Sequence, residues 1–263
     1  MTIDPFDPYE FAPPGNEPDG EPCADPAPAT YTGPFEREAF PDRLTAHVVE
    51  PGPDARIHGY HVAGDLARHH GLADLVWLAL RGELPTEHQR AALDVACVLL
   101  APVHVGQAPS HAAYLSRIAG AEVGATLAIA TVGLGELVRH ERVTLESWLA
   151  WLDRPEGPVP AVVCDAEQSD EAAVAQRWLD SRMRGWFGAG RGLPPGALTR
   201  VACAYALLHR LGLRGPLALE TVTVCARLPV IAAEAAYTRA GAIRSYPARL
   251  PDYQYVDSEG VAA

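Results

Sequence analysis

From residue 62 to residue 100, apolar residues recur at helical spacing and are interrupted by residues that stop or start a helix. This punctuation restricts the chain to helices joined by tight turns. Residues 62–70 and 72–81 place Leu66, Leu72, Leu75, Trp77, Leu78 and Leu80 on apolar faces, and Gly71 separates the two segments. Gly82 to Thr86 then break the pattern. Thr86 with Gln89 forms a capping-box pair, and the helix that it starts runs to about Leu100, ahead of Pro102.

The same reading extends to the C-terminal region. Pro109 begins a helix over residues 109–120, and residues 121–135 are rich in Ala and Gly with few charges. Small side chains permit close approach of helices, so the spacing predicts burial against another helix or another subunit. A short amphipathic helix is expected over 143–152, with Trp148 and Trp151, and another over 172–187. Residues 188–196 read as a flexible connection. Residues 197–211, 217–227 and 229–239 read as three further helices. No strand pattern or internal repeat stands out, and the architecture is expected to be all-α.

Composition narrows the chemistry. All 21 basic residues are arginine, which excludes a lysine Schiff base and the lysine of a Walker-type phosphate loop. The net charge of −12 argues against a nucleic-acid partner, since phosphate binding requires clustered cations. The five cysteines, Cys23, Cys97, Cys164, Cys203 and Cys225, form no Cys-x-x-Cys pair, and no metal site is expected. Their odd number and the absence of a signal-peptide pattern lead to the expectation of a reduced, cytoplasmic setting without a membrane span. Nine prolines and seven acidic residues crowd the first 34 positions, so residues 1–40 read as an extended tail ahead of a helical domain over 41–263. His140-Glu141 begins like a zinc-protease helix, but position 144 is threonine.

The run RIHGYHVAGDLARHHGLADLVWLALRGELPTEHQRAAL, residues 56–93, resembles the citrate synthase family. The likeness lies in Gly59-Tyr60, Leu66-Ala67, Leu78 to Leu80, Gly82 to Thr86 and Gln89. Residues 104–136 resemble the Pro-Ser helix pair that precedes the family's catalytic histidine. Residues 205–213, YALLHRLGL, resemble its late Leu-Gly helix, and residues 225–247 its Arg-containing region. The length favours the short citryl-CoA lyase type, with residues 154–196 as a reduced small domain.

This resemblance implies a helical dimer that makes or breaks a carbon–carbon bond between an acyl-CoA and an oxo acid, with CoA or acyl-CoA as substrate and no further cofactor. A carboxylate removes the α-proton, a histidine stabilises the enolate, and arginines hold carboxylates. On that pattern His140 is the candidate catalytic histidine, and Arg227 and Arg244 the candidate substrate-binding arginines. The family's second histidine has Arg191 in its place, within Gly188-Ala189-Gly190-Arg191. Val201 stands where the base aspartate is counted, with Asp165, Glu167 and Asp170 nearby as substitutes. Two functions are therefore expected: a divergent acyltransferase or lyase, or a non-catalytic pseudoenzyme subunit pairing with an intact relative.

Overall fold

In a computed structural model, residues 45–50, 52–237 and 239 are described. The acidic tail, Cys23 and Arg244 lie outside the described residues.

Three two-residue strands come first: β1 (Val49–Glu50), β2 (Arg56–Ile57) and β3 (Tyr60–His61). They pair antiparallel in the order β1-β2-β3, with Val49 opposite Ile57 and Ile57 opposite Tyr60. Such short strands leave no room for an alternating pattern, and the sequence reading had none to detect. The helix expected over 62–70 is a π-helical turn, Val62–Leu66, followed by α1 (Ala67–His69).

Helix α2 (Leu72–Arg81) begins at Gly71, whose N–H donates to the Asp74 carboxylate at 2.9 Å. Asp74 is 1% exposed and is held further by Arg90 Nε at 2.6 Å. Gly82, at φ 73°, ends the helix in the left-handed region that favours glycine. Helix α3 (Glu87–Leu100) opens on the expected capping box: Thr86 Oγ1 accepts from Gln89 N–H, and Gln89 Oε1 accepts from Thr86 N–H.

Helix α4 (Ala108–Ile118) packs on α5 (Val123–Thr144), and α5 packs in turn on α9 (Pro216–Ala236). A Cβ on Gly133 would stand 3.2 Å from the Pro109 Cα, so the α4–α5 approach depends on that glycine. Helix α5 carries on nine residues past the expected end at 135. Next come α6 (Glu146–Asp153), α7 (Asp170–Phe187) and α8 (Arg200–Arg210), with Ser169 and Thr199 capping α7 and α8.

The expected break near residue 228 does not occur. Pro229 lies inside the continuous α9. Proline forfeits one helical hydrogen bond. Buried residues on both sides, Val222, Thr223 and Arg227 before it and Ile231 and Ala235 after it, hold the two halves in one line. By length and composition α9 is apolar enough to cross a membrane, yet it carries the buried Arg227 and packs on α3, α4 and α5 as a core helix does.

The larger core joins α2, α3, α6, α7, α8 and the first half of α9 around Trp77, Leu93, Trp148, Met183, Tyr205 and Leu219. Each large apolar side chain buried there contributes about 1.5–3 kcal/mol. Trp148 Nε1 donates to the Ala202 carbonyl at 3.1 Å, which ties α6 to α8. A smaller core of Ala113, Ala130, Leu134, Ile231 and Ala235 joins α4, α5 and the second half of α9.

Candidate functional site

Arg227 sits at the junction of these cores. It is 2% exposed, its Nε donates to the Leu100 carbonyl at 3.1 Å, and its Nη1 lies 2.8 Å from Glu141 Oε2. The contact with Glu141 is an ion pair whose angle falls short of an aligned hydrogen bond. Three helices meet there: α3 supplies the carbonyl, α5 the carboxylate and α9 the guanidinium. The preceding residue, His140, is exposed on α5, and its backbone carbonyl accepts from the Thr144 hydroxyl at 3.0 Å.

The neighbouring Tyr205 hydroxyl is buried close to the Thr223 side chain. Burial and then the Glu141 charge push its phenol up to about 12, so it stays protonated. Arg200, at the first turn of α8, reaches back to the end of α3. Its guanidinium donates to the carbonyls of Leu99 and Pro102. Burial, and then the positive charge of Arg227, push its pKa down. Carbonyls fix the direction of this cation without neutralising it. Among the described residues no carboxylate lies within ion-pair distance of it.

Beside Arg200 opens a pocket of about 250 Å³ between α3, α7 and α8. Leu99, Ala175, Trp178, Leu179, Leu198 and Cys203 supply apolar walls, and Asp165, Gln168, Gln176 and Arg200 supply the polar groups. This composition, mostly apolar with a few polar groups, is that of a small-molecule site. Cys203 is no nucleophile there, because burial pushes its thiol up to about 12. Asp165 is a carboxylate on the pocket wall, and its Oδ1 accepts from the Glu167 N–H at 3.1 Å.

Two wider clefts adjoin the same segment. One, of about 550 Å³, runs along α7 from Ala173 to Arg184 with Gln168 at its edge, and another, of about 470 Å³, lies between Trp151, Gly190 and Pro195. All three concavities draw part of their lining from the 154–196 region. Neither His140 nor Arg227 lines any of them. Among the described residues, no histidine lines them either, and no group of three or more His, Cys, Asp or Glu is placed to hold a metal ion. Sequence reasoning named Asp165 as a possible base but passed over Arg200, which carried no local signal beyond its place after Thr199.

No protein-family model matches the sequence, and no curated protein matches it. Solved structures do match in fold. Methanothrix soehngenii ATP citrate lyase, in complex with citrate and coenzyme A, superimposes with a TM-score of 0.54 at 13% identity, covering 94% of this chain and 48% of that one. A variant of Methanosaeta concilii ATP citrate lyase, in complex with (3S)-citryl-CoA, gives 0.52 at 13% identity over 93% of this chain and 47% of that one. Citryl-CoA lyase from Hydrogenobacter thermophilus gives 0.49 at 16% identity over 81% and 95%. The chain spans about half the length of the two ATP citrate lyase chains. It has the citrate synthase-like helical fold.

Proposed function

We propose that this chain binds a short acyl-CoA thioester with the acyl end in the apolar pocket beside Arg200, and that Asp165 removes the α-proton. The observation that carries this reading is the pocket itself: apolar walls, one carboxylate and one unneutralised guanidinium, all within about 250 Å³. An acyl group matches the walls. Arg200 matches charge that develops on the thioester oxygen, or the carboxylate of an oxo acid or citrate-like co-substrate. Asp165 stands in for the aspartate that the sequence lacks at its usual place. In this reading His140, which faces solvent, and Arg227, which is engaged by Leu100 and Glu141, hold no substrate.

A second reading keeps the binding and drops the chemistry. It makes the chain a pseudoenzyme subunit that pairs with a family partner. The observation that favours it is a pair of exposed apolar residues on one face of α5, where Ile129 is 41% and Val132 72% exposed. Incubation with acetyl-CoA in heavy water separates the two readings. Deuterium entering the acyl α-carbon, and lost in Asp165→Asn, supports the first. Binding without exchange supports the second, and absence of binding refutes both.

A further inference from the structure

Arg200 and Arg210 mark opposite ends of α8, about 15 Å apart along its axis. At the Arg210 end, Leu152, Asp153, Arg191, His209, Arg210 and Arg214 line a separate cavity of about 160 Å³. Asp153 is the one carboxylate among them. Its Oδ1 accepts from Arg214 Nη1 at 2.8 Å and lies 2.9 Å from His209 Nε2. Among the described residues, neither Arg191 nor Arg210 has a carboxylate partner, and the buried Arg210 Nε has no hydrogen-bond partner at all. Three guanidiniums therefore face one carboxylate, in a chain whose net charge is −12.

The surroundings show the same imbalance. Burial, and then the charges of Arg191 and Arg214, push the Arg210 guanidinium down. His209 is 2% exposed, and its buried Nδ1 has no hydrogen-bond partner among the described residues. Burial holds the imidazole down against the opposing pull of its Asp153 hydrogen bond, so it stays neutral and offers no charge of its own. The three arginines come from three different segments: the short turn before Gly192, the last turn of α8, and the turn that leads into α9. Guanidinium forks converging from three directions suit a tetrahedral oxyanion better than a planar carboxylate, and the volume admits a single compact group.

We propose that this cavity binds a phosphate dianion, either free orthophosphate or the terminal group of a phosphate monoester, held by Arg191, Arg210 and Arg214. The site stands apart from the acyl pocket and does not rest on the acyl-CoA reading.

Isothermal titration of the full chain with orthophosphate, phenyl phosphate and citrate, at matched ionic strength, tests it. Saturable binding of the phosphates is expected. Arg191→Gln is expected to weaken that binding at least tenfold while the melting temperature is unchanged, because this exposed guanidinium has no partner among the described residues. Arg214→Gln is expected to weaken it as well. Tighter binding of phenyl phosphate identifies a monoester as the ligand, and equal or tighter binding of orthophosphate identifies the free ion; either supports the site. The proposal is overturned if neither phosphate binds, if binding survives Arg191→Gln unchanged, or if citrate binds more tightly than both.

Discussion

Replacing Arg227 with methionine tests whether this residue holds the fold or the substrate. The variant leaves the Leu100 carbonyl without its donor and Glu141 without its cation. An unsatisfied buried carbonyl costs about 1–3 kcal/mol. Breaking a fully buried ion pair from one side costs about 3–5 kcal/mol, and the 20% exposure of the Glu141 side chain moves its share toward the lower end. A loss of about 3–4 kcal/mol follows, or roughly 10 °C in melting temperature for a domain of this size. Urea denaturation followed by far-ultraviolet circular dichroism measures it. Arg227→Met with Glu141→Leu should recover much of the loss, because the double variant leaves no unpaired charge. A destabilisation below about 1 kcal/mol, together with lost acyl-CoA binding, would refute the structural role and restore Arg227 as a substrate ligand.

Gly133→Val should cost about 1–3 kcal/mol in the same denaturation assay, because a branched side chain meets the Pro109 backbone and forces α4 from α5. His209 predicts a pH dependence. Its folded-state pKa lies below the ordinary value, so the unfolded chain binds a proton first as pH falls. Its contribution to stability is therefore full above about pH 6.5 and is lost as pH drops below that value. Melting temperatures from pH 8 to pH 5 should fall more steeply for the native protein than for His209→Gln. Parallel curves would remove His209 as the source.

The parts of the fold that were legible in the sequence are those fixed by neighbours along the chain. Gly71, Gly82, Thr86 with Gln89, and Pro102 act within a turn or two, and the boundaries of α2 and α3 fall where they indicate. Pro229 misled for the complementary reason. Its local effect is to break a helix, and the packing of Arg227 and Ile231 on distant helices outweighs it. The site was less legible still. Arg227 was visible as an arginine of interest, but its partners Leu100 and Glu141 are far away in sequence. Arg200 drew no notice because the carbonyls of Leu99 and Pro102 come from about a hundred residues upstream. Asp165 was visible as one of three acids in a loop. Only the fold places it on a pocket wall while Glu167 and Asp170 stay outside that lining.

An acyl group seated in the pocket between α3, α7 and α8 adds affinity that a filled pocket loses. Calorimetric titration of acetyl-CoA and of free CoA into the native chain and into Ala175→Trp tests it most directly. Ala175 is exposed on α7 and lines the pocket, so an indole at that position fills the cavity without disturbing the core. Acetyl-CoA is expected to bind the native chain more tightly than CoA does, and Ala175→Trp to abolish this difference. Equal affinities for the two ligands in the native chain, or a preference for acetyl-CoA that survives the filled pocket, would contradict it.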